Sequence, residues 1–126
     1  MKSQCDTLYI HFSLEDGLLT ATFKKGLKIN LDIARKVVET RLKFTDHREI
    51  PVLIQSEGQV TMNKEARDFL ASPKGTEGLV AVAMVLKDAF DWAVGSFFVH
   101  LSKPAMPSRV FTRHDSAIRW LSDIVN

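Results

Sequence analysis

The chain has 126 residues, of which 45% are apolar and 25% are charged, a composition that fills one hydrophobic core and excludes disordered and fibrous proteins. At this length we expect a single domain over residues 1–126. Seventeen basic and fifteen acidic residues leave a formal charge of +2, too small to indicate a polyanion as the main partner, so nucleic acid is not expected.

Cysteine usage and the N-terminal sequence bear on the cellular compartment. The lone Cys5 excludes an intramolecular disulfide, and residues 1–6 lack the apolar run of a signal peptide. The uncharged run 92–102 has eleven residues, whereas a helix needs about 20 to cross a bilayer. We therefore expect a cytoplasmic protein with no membrane span.

The first third of the chain predicts a β-hairpin. Apolar and more polar residues alternate from residue 8 to residue 13, which is the period of a strand with one buried face. Residues 18–23 form the expected partner strand. Asp16-Gly17 lies between them and tolerates positive φ, so the two strands should pair antiparallel.

Two strand and helix units follow the hairpin. Asn30 is a plausible N-cap for a helix over 31–44, whose apolar residues share one broad face. The β-branched and apolar run 51–56 predicts a strand. Asn63 can cap the short helix that comes after it.

The last part of the chain predicts two more strands and two more helices. Residues 79–86 are apolar at every position, which is typical of a strand covered on both faces, and we expect this to be the central strand. A helix should follow over 88–102, and then a short strand over 109–111. Thr112 and Asp115 resemble a capping box for the final helix. We expect that helix to bury Ala117, Ile118, Trp120, Leu121 and Ile124.

The predicted order is β-β-α-β-α-β-α-β-α. Short connections and right-handed crossovers favour an α/β fold with a mostly parallel five-stranded sheet, an initial antiparallel hairpin strand and four helices.

No motif in the sequence indicates an enzyme, a metal site or a cofactor. The four histidines are scattered, and the six glycines match neither a dinucleotide-binding fingerprint nor a P-loop. Cys5 has no base near it in the sequence. We therefore expect a non-catalytic protein with no cofactor.

Segments along most of the chain resemble a known family. The string over 97–112, its continuation over 117–121, Ala66-Arg67 and Asp16-Gly17 are similar to bacterial SpoIIAA-like (STAS-type) domains, closest to small stand-alone members of uncharacterised function. The resemblance covers nearly the whole chain and implies a STAS-like fold. It implies no activity, because one fold hosts many functions.

One functional position of the family is altered here. In the anti-sigma-factor antagonists of this superfamily, a kinase phosphorylates a serine at the start of the second helix. The matching segment 61–66 contains no serine, and Thr61 is its only hydroxyl. A phosphate would be favourable at that helix terminus. We nevertheless favour a loop or capping role for Thr61, because Lys64 stands at the expected position.

Two arginines are candidate contacts for an anion or a ligand. Arg41 falls on the apolar face of the first helix, and Arg67 lies in the second helix. A buried arginine must find an anion or extend its head to water. The alternative, which we favour, is an intramolecular ion pair or a side chain that reaches solvent.

The predicted helix over 88–102 carries a candidate interaction surface. Trp92 and Val99 project away from the apolar side that should face the sheet, and Gly95 and Ser96 lie beside them. Exposed tryptophan is enriched at protein contacts, so this stripe is a candidate surface for a homodimer or another protein. The alternative is that a neighbouring segment covers Trp92 as part of the core.

These observations favour a non-catalytic regulatory or protein-interaction module that forms a homodimer or binds another protein. The alternative is a protein that binds a small ligand, a nucleotide or a lipid, in an apolar cleft beneath its helices.

Overall fold

The computed structural model describes residues 2–87 and 105–125, which form eight strands and three helices. The strands are β1 (Lys2–Asp6), β2 (Ile10–Glu15), β3 (Leu18–Phe23), β4 (Lys28–Ile29), β5 (Ile50–Ser56), β6 (Thr61–Met62), β7 (Leu79–Val85) and β8 (Ser108–Phe111). The helices are α1 (Leu31–Phe44), α2 (Lys64–Ala71) and α3 (His114–Val125). The predicted helix over 88–102 lies outside the described residues.

The main sheet has six strands in the order β1-β2-β3-β5-β7-β8. The β1–β2 and β2–β3 pairs are antiparallel, and the remaining three pairs are parallel. Strands β4 and β6 form a separate two-stranded sheet. The predicted α/β class, with a mostly parallel sheet and an antiparallel start, is confirmed.

Two details of the predicted sheet are wrong. The sheet contains six strands rather than five, because the polar segment Lys2–Asp6 adds the edge strand β1. Strand β7 is buried on both faces as expected, yet it is not central, since only β8 separates it from the edge of the described sheet. The middle positions belong to β3 and β5.

The predicted hairpin is present, with one shifted boundary. Asp16 and Gly17 adopt φ of 53° and 78° at the turn between β2 and β3. The alternating strand begins at Ile10 rather than at Leu8, whose side chain is 80% exposed. Thr7 explains the later start, because its Oγ1 accepts hydrogen bonds from the amides of Tyr9 and Ile10 and holds a turn there.

Asparagine side chains begin the first two helices, as predicted. Asn30 Oδ1 accepts a hydrogen bond from the Ile33 amide at 2.9 Å. Asn63 Oδ1 accepts one from the Ala66 amide, also at 2.9 Å. Each bond satisfies one of the amides that a helix leaves free at its start.

The first turn of α3 differs from the predicted capping box. The helix begins at His114, and the Asp115 carboxylate accepts hydrogen bonds from the Arg113 guanidinium and from the Ser116 amide. Its partners are therefore not those of a capping box. Ala117 and Leu121 are buried as expected, but Ile124 is 39% exposed.

The sheet separates two clusters of buried side chains. The larger cluster lies beneath α1 and α2, where the stacked rings of Phe12 and Phe44 place α1 over β2. The smaller cluster lies between α3 and the other face of the sheet. These two faces differ in how much of the sheet the helices cover.

Candidate binding groove

Within residues 2–87 and 105–125, the sheet face beneath α3 is covered over only part of its width. Leu53, Ala81, Ala83 and Val85 point to this face from β5 and β7 and pack against Ala117 and Leu121. The tilted rings of Phe111 and Trp120, 5.7 Å apart, extend the contact to β8. Among the described helices, α3 is the one on this face, and it packs on β5, β7 and β8. Strands β1, β2 and β3 lie beyond it.

The strands that no described helix covers on this face, together with one side of α3, line a surface groove of about 580 Å³. Its floor is built from residues that alternate with the core residues of the same strands, so their side chains point to the opposite face. The floor residues are Lys2, Gln4, His11, Ser13, Glu15, Leu18, Thr20, Thr22 and Gln55. His114, Ile118 and Ser122 form the wall, since residues four apart share one side of a helix.

Strand register arranges the floor in two polar rows. Gln4 lies opposite Ser13, and Ser13 lies opposite Thr20. In the next row, Asp6 lies opposite His11, His11 opposite Thr22, and Thr22 beside Gln55. The groove therefore presents hydroxyl, amide and imidazole groups across four adjacent strands.

Hydrogen bonds link the second row. Gln55 Nε2 donates to Thr22 Oγ1 at 3.1 Å. His11 Nδ1 lies 3.0 Å from Asp6 Oδ1, and Lys24 Nζ donates to the same carboxylate oxygen at 2.7 Å. These bonds connect Gln55 with Thr22, and Asp6 with His11 and Lys24.

The Asp6 cluster also changes two protonation equilibria. The hydrogen bond from Lys24, assisted by the one from His11, lowers the pKa of the Asp6 carboxyl below its usual 3.8. The same bond to Asp6 raises the pKa of the Lys24 ammonium. Both groups therefore stay charged near neutral pH.

Arg41 lies on the opposite face of the sheet, in the larger core. The residue is only 5% exposed, and its guanidinium donates to the carbonyls of Glu77 at 2.8 Å and Gly75 at 3.2 Å. Burial lowers the pKa of Arg41 to about 10, and the nearby charge of Glu77 opposes that shift. Main-chain carbonyls satisfy this arginine, rather than the carboxylate or solvent contact that we favoured from the sequence.

The other two sequence candidates lie near α2. Arg67 Nη1 donates to the Met62 carbonyl at 3.0 Å. Thr61 is half-buried in β6 opposite Lys28, and its amide donates to the Leu27 carbonyl. The cap of α2 is Asn63, so Thr61 does not have the capping role. None of Arg41, Arg67 and Thr61 lines the groove.

The stripe of Trp92, Gly95, Ser96 and Val99 lies outside the described residues, so the homodimer surface expected there stays a prediction. Within residues 2–87 and 105–125, no group of three or more His, Cys, Asp or Glu side chains could hold a metal ion. In the same ranges, no helix combines the length and apolar character required to cross a bilayer.

The sequence contained part of the signal for the groove. Ser13, Thr20 and Thr22 occupy the polar positions of the predicted hairpin, which shows that one face of it is not core. Lys2, Gln4 and Asp6 were missed because β1 is exposed except for the half-buried Cys5 and therefore has no hydrophobic alternation. The position of α3, which makes an open face into a groove, has no local sequence signal.

Three comparisons with known proteins identify the family and the fold of the chain. A family model described as a domain of unknown function, DUF7793, matches residues 12–125. A crystal structure of an uncharacterized protein from the DUF3478 family, with a SpoIIAA-like fold and from Shewanella loihica PV-4, is similar at a TM-score of 0.54 and 18% identity. That match covers 94% of this chain and 99% of the other. No curated protein matches the chain. The chain therefore has the SpoIIAA-like fold that its sequence resembles, and it belongs to the DUF7793 family.

Proposed function

We propose that this protein is a non-catalytic, cytoplasmic interaction module of a regulatory kind, which binds a polar segment of a partner protein in the groove beside α3. The observation that supports this proposal is the sheet face that the described part of the chain covers only in part, where a polar floor with the Gln55–Thr22 hydrogen bond lies beside α3. Strands β2 and β3 bury their other face in the larger cluster, so the side chains that point to the groove are not needed for that core.

The chemistry of the groove favours a protein partner. The centre of the floor has neutral hydroxyl and amide groups from Ser13, Thr20, Thr22 and Gln55, which can donate and accept hydrogen bonds. Such groups suit a peptide backbone or polar side chains. A nucleotide or another polyanion would instead require concentrated positive charge.

The alternative is a small ligand, such as a nucleotide or a lipid, beneath α1 and α2. An apolar cavity does lie there, between Phe12, Val37, Leu70 and Val82, with Arg41 at its margin. Its volume is about 70 Å³, while sites for small molecules span roughly 300 to 1,000 Å³. A ligand of that size would have to displace a helix and the carbonyl bonds of Arg41, so this alternative has less support.

Affinity purification from the native host, with quantitative mass spectrometry, tests the proposal. Thr20→Arg places a long cation in the centre of the groove, and Thr40→Arg makes the same change at an equally half-buried threonine on α1. We expect a partner that is recovered with the unmodified protein to be recovered with the Thr40 variant and lost with the Thr20 variant.

Both variants must first melt like the unmodified protein, so that loss of binding is not loss of folding. Equal recovery of the partner with all three proteins would overturn the groove as its binding site. Recovery of a small molecule in place of a protein would favour the alternative.

A further inference from the structure

The outer edge of strand β1 can pair with another strand. Four of its five residues are exposed, and in the described sheet it pairs on one side only, with β2. It contains neither a proline nor a bulge, two devices that commonly block the pairing of edge strands. A third device, charged side chains, is present at Lys2 and Asp6, so a partner strand must have complementary charges.

A hydrogen bond at the turn between β1 and β2 shows which backbone groups of β1 point away from β2. The Thr7 amide donates to the Ile10 carbonyl at 3.0 Å, so Thr7 directs its backbone groups toward β2. Adjacent residues of a strand direct these groups to opposite sides. Ser3 and Cys5 therefore bond to β2, whereas Lys2, Gln4 and Asp6 present their amides and carbonyls at the open edge.

The charges along β1 are self-complementary. When two copies of Lys2–Asp6 run antiparallel with Gln4 opposite Gln4, each Lys2 lies opposite the Asp6 of the other copy. This register pairs every outward backbone group of the strand, and it places each Lys2 opposite an Asp6 carboxylate that also bonds Lys24 of its own copy. Shifts that centre the pairing on Lys2 or on Asp6 would instead place like charges opposite each other.

We propose that β1 is a homodimer interface, in which two copies pair antiparallel about a twofold axis at Gln4. The two six-stranded sheets become one continuous sheet, as expected of an isologous contact. Because the axis is perpendicular to the sheet, the polar floors of both copies lie on the same side. The dimer thus joins two grooves into one surface, although its formation requires no groove partner.

A single backbone change tests this interface by sedimentation equilibrium. Gln4→Pro removes the outward amide of Gln4 without removing a bond to β2, and Gln4→Val keeps the amide as the matched control. We expect the unmodified protein and the Val variant to approach twice the mass of the chain with rising concentration. The Pro variant should stay at the mass of one chain with an unchanged melting transition.

Charge reversal provides a second test that does not depend on proline. Lys2→Asp and Asp6→Lys each place like charges opposite one another in their own homodimer, so each should associate at least tenfold more weakly than the unmodified protein. Both variants must keep its melting transition, because Lys2 also lies opposite Glu15 and Asp6 also bonds Lys24 within the same chain. Mixed together, the two variants again place opposite charges across the interface. Native mass spectrometry should therefore detect heterodimers in the mixture at the level of the unmodified dimer.

A monomeric unmodified protein would overturn the proposal, as would a Pro variant that dimerises normally. Failure of the charge variants to recover association on mixing would contradict the proposed register. These results are independent of the groove, because a protein that stays monomeric can still bind a partner there and lose it with Thr20→Arg.

Discussion

The two faces of one sheet are used differently in this molecule. Beneath α1 and α2, side chains from β2, β3, β5 and β7 form a continuous apolar core. On the other face, α3 covers β5, β7 and β8, and the hairpin strands present polar groups. An antiparallel hairpin needs only one buried face to be stable, whereas a parallel strand such as β7 requires cover on both. In the described residues, the buried side chains that stabilise the fold lie in the covered areas, whereas the hairpin presents half-buried polar side chains on its other face.

The largest expected effect is a loss of stability from a substitution in the covered part of the sheet. Val82 is buried in β7, so Val82→Asp should unfold the protein, because a carboxylate there loses hydration and finds no partner. The cost of several kcal/mol is comparable to the roughly 5 to 15 kcal/mol that stabilises a domain. The matched change Thr20→Asp on the open floor should cost less than about 1 kcal/mol. Thermal melting measures both, and equal losses would contradict the difference between the faces.

The next effect concerns the buried guanidinium in the larger core. Arg41→Ala should leave the carbonyls of Glu77 and Gly75 without their donor, at a cost of about 1 to 3 kcal/mol for each buried group that stays unsatisfied. The exposed Arg113→Ala is the control, and its pair with Asp115 should be worth less than about 1 kcal/mol. Urea unfolding of both variants checks this order. A reversed order would show that the carbonyl contacts of Arg41 do not hold the 75–77 loop to α1.

The covered face is also the part that the sequence predicts well. Alternation in the hairpin and the unbroken apolar run of β7 indicate burial directly, since most side chains that lie in the core are apolar. Arg41 shows where this reasoning stops. Helical phase places it on the buried face, but its acceptors are main-chain carbonyls in a loop 34 and 36 residues away, and no side-chain pattern marks them.

A smaller effect is expected within the open floor. Thr22→Val removes the hydroxyl that accepts from Gln55 while it keeps the β-branched shape that a strand prefers. The free energy of unfolding should change by less than about 1 kcal/mol, because Gln55 can bond to water in the open groove. Denaturant melts of this variant and of Thr40→Val measure the change. A loss above about 2 kcal/mol would show that the floor is structural.

The smallest expected effect is a shift in the pKa of Asp6, which lies at the edge of the floor. Lys24 and His11 lower the pKa of its carboxyl, so the carboxylate should protonate below pH 3.8, as followed by NMR. Any stability that this cluster contributes is present above pH 3.8 and disappears as the pH falls through the lowered pKa. In Lys24→Gln the midpoint should move up toward 3.8. An unchanged midpoint would exclude the Lys24 contact as the main cause.

The open floor was predictable only in part, for a physical reason. Ser13, Thr20 and Thr22 are polar where the hairpin is exposed, so their face could be assigned from alternation. Gln55 ends an otherwise buried strand, and its place beside Thr22 depends on the pairing of β3 with β5. The wall residues His114 and Ser122 reach the groove through the packing of α3 on β7, which local periodicity does not encode.

Site-specific photo-crosslinking in the native host tests most directly whether the open floor is the recognition surface. A photoreactive side chain at Thr20 reports contacts in the groove, and one at Glu39 reports the exposed side of α1. The account predicts a discrete crosslinked protein from position 20 and none from position 39. A crosslink from position 39 with none from position 20 would contradict it.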